Sequence, residues 1–595
     1  MSHYQAPLRD MKFHINEVLN FPQHYASFPQ GHEATPDIVD AILASAAQFA
    51  HEVLAPLDAV GDEIGCIWND GEVTTPPGFK EAYKEYISNG WTSLSIPPEL
   101  GGQGLPASLS GFCMELHCSA NHAWTMYPGL SMGGIQTIAA HASEELKQRY
   151  LPNLIAGTWS ATMCLTEAHC GSDLGLLRTK AVPSENNSYR ISGSKIFISS
   201  GEHDLTENII HIVLARLPDA PPGIKGISLF LVPKFMADEH GATGNRNTVR
   251  CGSIEKKMGI HGNATCVINF DEAIGYLISP PHKGMSSMFT FINESRMGVA
   301  QQALSQIEVS HQAALLYAHE RRQFRASKRS DPEASADPII VHPDVRRMLL
   351  TQRTFAEGGR ALNYFLAKQV DIERYSDDAQ ARATAEELLS LMTPIAKGFL
   401  SEVCIEATSY GIQVFGGHGY IREWRQEQHF RDARITSIYE GTTGIQGLDL
   451  LGRKILSSSG TILKPLLYLI DEFCQQHGSS PYVPILQSKI QEWSTLATEI
   501  GEKAKQDPDE VNAAAYDYLM YSGYTVMAWL WAQAAAVATD ALARAPTTPD
   551  IDFYQSKLIS ARFYFERILP RTLALAASIR SGAGNLPAFA LQDEQ

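Results

Sequence analysis

The stretch YRISGSKIFIS, Tyr189–Ser199, decides the fold class. Its apolar residues alternate, Tyr189 with Ile191 and then Ile196 with Ile198, directly after the turn-rich PSENNS at 183–188. Period-two alternation bounded by turn residues predicts a half-buried strand. NIIHIVLARL (208–217), ISLFLVP (227–233) and TCVINF (265–270) are further short β runs punctuated by Gly and Pro. No regular helical stretch separates them, so residues 161–281 read as an antiparallel β module rather than a parallel βαβ sheet.

On both sides of this module the spacing is helical. In ATPDIVDAILASAAQFAHEVL (34–54), Ile38, Ile42, Ala46 and Phe49 recur at threes and fours, with Thr35 and Pro36 as cap and first turn. After 282 come ALSQIEVSHQAALLYAHERRQF, HPDVRRMLLTQRTFAEGGRALNYFLAKQV and TPIAKGFLSEVCIEATSYGIQVF, long helices with short breaks, which imply a bundle. The expected architecture is α+β, mainly α: an N-terminal extension (1–35), a helical domain (36–160), the β domain (161–281), a helical bundle (282–456) and a helical C-terminal extension after SSSG (457–595).

The 595 residues are 44% hydrophobic and 19% charged, which excludes disorder, and a formal charge of −17 excludes broad attraction to nucleic acid or anionic lipid. Nine cysteines without a C-x-x-C pair predict reduced thiols and a cytoplasmic address. The first residues carry Asp10 and Glu17 and no continuous apolar core, so no secretory signal is expected. Tyr518–Thr539 runs 22 residues without a charge. It holds Ser522, Gly523, Thr525 and Gln533 and lacks flanking Lys or Arg, so it reads as a buried or interface helix, with peripheral membrane contact as the alternative.

Several motifs fail on inspection. GLSMG (129–133) matches a nucleophile elbow around Ser131, but the preceding residues make a poor strand. HEVLA, HEATP and HERRQ lack the second histidine of a zinc motif, so no metal is expected, and GGHGYIR places Arg422 where a Rossmann fingerprint needs its last glycine. Three stretches remain. MCLTEAHCGSD (163–173) offers hydroxyls and exposed amides from Thr166, Gly171 and Ser172 or is a plain polar loop. HERRQFRASKR gathers Arg321, Arg322, Arg325, Lys328 and Arg329, a diphosphate clamp or a solvated helix face. GIQVFGGHGY brings Gln413 close to a glycine pair, for ligand approach or a helix end. RITSIYEGTTGIQG (434–447) carries a single acid, Glu440, which taken alone reads first as a helix end.

Together and in this order LTEAHCGSD, ISGSKIFISSG, RMGVAQQAL, YAHERRQF, GIQVFGGHGYIRE and RDARITSIYEGTTGIQ resemble the acyl-CoA dehydrogenase family over about residues 50–455. The resemblance implies a helical domain, a β domain and a four-helix bundle, with FAD between the last two. YQAPLRDMKFHINEVL, SSGEHDLTENIIHIVLARLPDAP, DPIIVHPDVRRMLL and the helical extension are similar to the family's long sub-group, typified by 3-methylmercaptopropionyl-CoA dehydrogenases.

By that resemblance Glu440 is the base that takes the α-proton of an acyl thioester while hydride leaves the β-carbon for the flavin, giving a trans-2-enoyl-CoA. The oxyanion donors would be its own N–H and a ribityl hydroxyl, and substrate burial should raise its pKa. The family positions place Met163, Leu165, Thr166, Phe197 and Ser199 around the flavin, and Gly171 and Ser172 toward the pyrophosphate and the CoA arm. Phe197 and Ser199 stand where many relatives have tryptophan and threonine, changes that keep an aromatic and a hydroxyl. Arg321, Gln323, Phe324, Gln413 and Gly417 would reach the FAD of a neighbouring subunit, which makes a homodimer the minimal unit. Thr442 would touch FAD, and Arg296 and Gly441 the thioester. An electron-transfer flavoprotein is the implied acceptor. The implied substrate is 3-methylmercaptopropionyl-CoA, oxidised to methylthioacryloyl-CoA. The alternatives are a broad-range fatty acyl-CoA dehydrogenase, an acyl-CoA oxidase, an inactive flavin-binding scaffold and, outside the class, a serine hydrolase.

Overall fold

The computed structural model describes residues 4–328, 332–545, 547 and 549–587, so Arg329 of the basic cluster lies outside the described residues. The chain forms two units, Met1–Ala6 with Pro36–Gly298 and Pro7–Thr35 with Val299–Gln595.

The first unit begins with helices α1 (Pro36–Phe49), α2 (Ala55–Ile64), α3 (Phe79–Ser88), α4 (Ala107–Ala120), α5 (His122–His141) and α6 (Glu144–Ile155), interrupted by a hairpin of β1 (Ile67–Asn69) and β2 (Glu72–Thr74). In α1 the buried stripe is Val39, Leu43, Ala46 and Phe49, while Ile38 is exposed. Two overlapping stripes, one residue out of step, are available there, and packing on α4 selects the second. The residues 129–133 lie inside α5, where Ser131 is buried, so the strand–turn–helix of a nucleophile elbow is absent.

The β module contains β3 (Trp159–Cys164), β4 (Lys180–Pro183), β5 (Ser188–Ser199), β6 (Asn208–Arg216), β7 (Ile227–Pro233), β8 (Phe235–Ala237), β9 (Thr243–Arg246), β10 (Val249–Ile254) and β11 (Thr265–Leu277). The main sheet runs β10-β11-β5-β4-β6-β3, with β7 joined to β11 and β6. Most pairs are antiparallel, but β3 lies parallel to β6, with Trp159 opposite Asn208. The antiparallel expectation is corrected at this edge, where β4 too lies parallel to β6: residues 165–179 carry the chain back from the end of β3, so β4 and, after the β4–β5 hairpin, β6 both run in the direction of β3. Trp159, Ile210, Ile212, Leu229 and Leu231 pack with Ile135 and Ile138 of α5 to form the core beneath.

Helix α7 (Gly284–Glu320) carries the chain into the second unit, followed by α8 (Pro343–Tyr375), α9 (Ala379–Phe415), α10 (Gln426–Arg434) and α11 (Thr443–Leu448). The extension adds α12 (Lys464–Gln476), α13 (Val483–Ala504), α14 (Asp509–Arg544), α15 (Ile551–Phe563) and α16 (Arg571–Ser581). The charge-free run falls in α14, where Tyr518, Leu519, Tyr521, Met527, Leu530 and Trp531 are buried, and Trp531 donates its indole N–H to the Thr354 carbonyl at 3.2 Å. Its apolar surface is thus consumed by packing inside this unit. The N-terminal segment joins the same unit: Asp10 accepts from both Arg360 and Lys557, and His24 meets Asp371 at 3.2 Å.

Candidate functional site

In the first unit, the residues assigned to the flavin ring converge on the end of β5. Between the pairs Cys266–Ile198 and Ile268–Lys195, two residues of β5 oppose one of β11, a bulge that re-aims a side chain. Phe197 sits on this bulge at φ 58° with 59% of its surface exposed, an unusual exposure for a large ring on a strained backbone. The Ile196 N–H donates to the Thr166 carbonyl at 2.9 Å, so Met163, Leu165 and Thr166 are brought beside Phe197 and Ser199. Gly171 and Ser172 lie further along the loop and are exposed, and Arg296 is buried on α7.

A buried pair that the motif reading missed fastens this arrangement. Lys195 donates to the Leu165 carbonyl and to Glu167, both at 2.9 Å. Glu167 also accepts from the N–H of Arg178 at 2.8 Å and from the N–H and hydroxyl of Thr179 at 3.0 and 2.6 Å. Burial pushes the Glu167 carboxyl up, but the Lys195 ammonium and these donors outweigh it and hold the group down at about 2. Glu167, His169 and Cys170 bring potential ligand atoms within 4.8 Å, yet the Glu167 oxygens are already committed to donors. The signal available in the sequence was Lys195 itself, a charge between Ile191 and Ile198, both on the buried face.

In the second unit, the C-terminal ends of α7 and α9 are joined. Tyr317 stacks on Phe415 with centroids 4.1 Å apart and bonds His418 at 2.9 Å. This brings Arg321, Gln323 and Phe324 to the same end as Gln413 and Gly417, of which Gln413 and Gly417 are exposed. The Gln323 N–H donates to the Asp337 carbonyl at 3.1 Å and the Asp337 N–H to the Phe324 carbonyl at 2.9 Å, fixing Phe324 at φ 57° with 83% exposure.

The third group is the loop before α11. Glu440 is half-buried at φ 57° and Gly441 follows at φ 90°. Thr442 caps α11, its hydroxyl accepting the Ile445 N–H at 3.4 Å. Gln446 donates to the carbonyls of Glu440 and Gly441 at 3.0 and 3.3 Å, and the buried Lys397 ammonium donates to the Gly441 carbonyl at 2.5 Å. A buried ammonium thus reaches the backbone of the residue next to Glu440. Lys397 left no mark in the sequence because its acceptor is a backbone carbonyl 44 positions away.

Sequence profiles of the acyl-CoA dehydrogenase N-terminal, middle and C-terminal domains match residues 37–158, 162–273 and 282–456, and an acetyl-CoA dehydrogenase C-terminal-like profile matches 466–589. The chain is 39% identical to 3-methylmercaptopropionyl-CoA dehydrogenase of Ruegeria pomeroyi, over 95% of this chain and 96% of that one. This chain belongs to the acyl-CoA dehydrogenase family. It is also 34% identical to the broad-specificity linear acyl-CoA dehydrogenase FadE5 of Mycobacterium tuberculosis, over 96% of each chain. Among solved structures, Caenorhabditis elegans ACDH-11 in complex with C11-CoA superposes with a TM-score of 0.73 at 17% identity, covering 97% of this chain and 96% of that one. Butyryl-CoA dehydrogenase of Megasphaera elsdenii covers 70% of this chain and 98% of its own, with a TM-score of 0.58 at 26% identity.

As an acyl-CoA dehydrogenase the protein is an oxidoreductase with FAD as cofactor. The residues present fit that group. In the first unit an exposed ring on a bulge, half-buried Met163 and Leu165, and the hydroxyls of Thr166 and Ser199 offer an apolar face edged by hydrogen-bonding groups. In the second, the exposed Arg321 offers a charged donor suited to phosphate.

Proposed function

We propose that Glu440 is the base that removes the α-proton of an acyl-CoA. The observation that carries this is the loop itself: a half-buried carboxylate in a left-handed conformation, between Tyr439 and a glycine, with its backbone held by Gln446. A strained residue fixed from several sides is what preorganised proton abstraction from carbon requires. Gly441 matters because a side chain there would meet the Gln446 amide at 2.6 Å in a backbone already at φ 90°. FAD, when bound, supplies the hydride acceptor for the β-carbon. Met163, Leu165, Thr166, Phe197, Ser199 and Thr442 would hold its flavin end, and Gly171 and Ser172 its pyrophosphate and the CoA arm. Arg321, Gln323, Phe324, Gln413 and Gly417 would serve the cofactor of a second subunit in a homodimer, and Arg296 and Gly441 would border the thioester.

The substrate we infer is 3-methylmercaptopropionyl-CoA, giving methylthioacryloyl-CoA, with an electron-transfer flavoprotein as acceptor in a cytoplasmic setting. Identity of 39% to an enzyme named for that thioester, against 34% to a broad-specificity one, supports the order of the two readings. Nine free cysteines, eight of them buried, accord with a reducing compartment. The test is anaerobic mixing of the yellow protein with 3-methylmercaptopropionyl-CoA and with straight-chain C4 to C16 acyl-CoAs. Bleaching is expected to be fastest with the thioether substrate. A clear preference for long chains selects the broad-range reading and leaves the reaction intact. Glu440→Gln is expected to keep the flavin and to lose bleaching by about 100-fold or more.

A further inference from the structure

One helix holds the loop around Glu440 at three points. From α9, Lys397 donates to the Gly441 carbonyl at 2.5 Å, Ser401 donates to the Thr436 carbonyl at 2.9 Å, and Glu402 accepts from the Thr443 hydroxyl at 2.5 Å. Residues 397 and 401 are one turn apart and 402 adjoins them, so a single edge of α9 holds the loop before, at and after Glu440. Of the three attachments only Lys397 carries charge into a fully buried position.

A buried ammonium is expensive unless strong acceptors face it, whereas a neutral side chain would suffice merely to fill this volume. A charge-assisted hydrogen bond is roughly twice as strong as a neutral one. It is applied where the chain needs it, since Glu440 and Gly441 are two successive residues at positive φ. A non-glycine residue held there costs about 1–3 kcal/mol, so the surroundings must over-determine it. Gln446 gives the same carbonyl a second donor at 3.3 Å but comes from α11, the short helix into which the loop itself leads. Lys397 is anchored in a different and longer helix.

We propose that Lys397 is a positioning residue: by fixing the Gly441 carbonyl to α9 it sets the direction from which the Glu440 carboxylate meets the acyl α-carbon. This rests on the assignment of Glu440 as the base. Lys397 forms and breaks no bond in the reaction. Its loss should misplace the base without removing the binding surface for the acyl chain.

The experiment compares wild type with Lys397→Met, Lys397→Arg and Glu440→Gln. In Lys397→Met the anaerobic flavin-reduction rate at saturating acyl-CoA is expected to fall about 100-fold, the penalty for a displacement near 1 Å, while the substrate dissociation constant stays within about threefold. Lys397→Arg, which keeps the charge, is expected to recover part of the loss. A 3-thia-acyl-CoA, which can lose its α-proton but has no hydride to give, should form its long-wavelength charge-transfer band with oxidised wild type and only weakly with Lys397→Met. In the FAD-free proteins, the amides of residues 439–443 should exchange faster in Lys397→Met than in wild type, with β5 unchanged. Wild-type reduction with unchanged exchange in Lys397→Met overturns the proposal, as does a loss confined to substrate affinity. If Lys397→Met does not fold, Gln446→Leu, which removes the other donor to the same carbonyl, must give the same pattern in milder form, and its absence counts against the proposal. Wild-type bleaching by Glu440→Gln would instead overturn the base assignment, and the exchange measurement would still report whether Lys397 holds the loop.

Discussion

The Glu167–Lys195 pair of the first unit and the Asp10–Arg360–Lys557 cluster of the second are both sealed from water, but they join different kinds of partner. Glu167 and Lys195 are 28 positions apart and bond chiefly to backbone within the loop and strands that present Phe197 and Thr166. Asp10 lies 350 positions from Arg360 and 547 from Lys557, and Arg360 continues to Glu308 at 2.7 Å while Lys557 reaches Glu357 at 3.0 Å. The second network therefore ties the N-terminal segment, α7, α8 and the extension into one body. Burying ions is costly in either place. In one unit the result is a fixed local shape beside the proposed flavin site, and in the other it is closure of a long chain.

Breaking each network should separate these roles. The largest effect is expected for Lys195→Met, which strands a buried carboxylate: stability of the first unit should fall by about 3–5 kcal/mol, and the purified protein should lose most of its flavin. Denaturant melts with absorbance at the flavin band measure both. Lys557→Met should cost a comparable or smaller amount, about 3 kcal/mol, because Asp10 retains Arg360 and Glu357 retains Arg353, and the flavin should stay bound. Its signature would be proteolytic opening of residues 7–35. Equal flavin loss in the two variants would dissolve the distinction.

Acid sharpens the comparison. Burial holds His117, His203 and His211 of the first unit down at about 3, and burial with the nearby cations outweighs Asp10 to hold His14 of the second at about 4. A histidine whose folded value lies below the unfolded 6.5 contributes full stability above that pH and loses it as pH falls toward the folded value. Glu167, depressed from 4.5 to about 2, adds a second loss across that lower window. Stability is expected to decline from pH 6.5 downward and more steeply below 4.5, as read by thermal midpoints in a pH series. The smallest effect belongs to neither network. His261, whose hydrogen bond to Asp62 at 2.9 Å raises it to about 9 against the pull of burial, stabilises fully below 6.5 and less as pH rises through 9. His261→Gln should flatten that alkaline slope by less than about 1 kcal/mol, as befits a partly exposed pair.

What the sequence disclosed and what it hid follow from the same contrast. Features written in local periodicity were legible: the change from helical to β spacing and the internal character of the run in α14. The parallel β3–β6 edge was not, because register between strands separated by a hairpin is decided by topology rather than by either strand's pattern. The first half of the α1 stripe lies one residue on from the expected positions, while Ala46 and Phe49 are buried as expected, because Ile38 and Val39 are equally apolar and only a packing partner distinguishes them. Lys195 and Lys397 are hidden because their acceptors lie far along the chain: Glu167 and the Leu165 carbonyl for Lys195, and a backbone carbonyl, of which every residue has one, for Lys397.

The contact between α11 and α14 has a consequence for the order in which the protein becomes competent. Gly447, one turn past the Glu440 loop, faces the Ala515 carbonyl so closely that a side chain would come within 2.6 Å of it, and Glu402 reaches Tyr516 at 3.4 Å. α9, upstream, holds the loop, but a further packing partner of α11 is thus encoded downstream of it. A nascent chain that has emerged as far as Leu456 has every residue proposed for chemistry but not the helix against which α11 settles. Chains arrested there are expected to remain protease-sensitive at 436–447, and those arrested beyond Phe563 to be protected. During synthesis, α14 is thus delivered after the loop whose neighbouring helix it packs against.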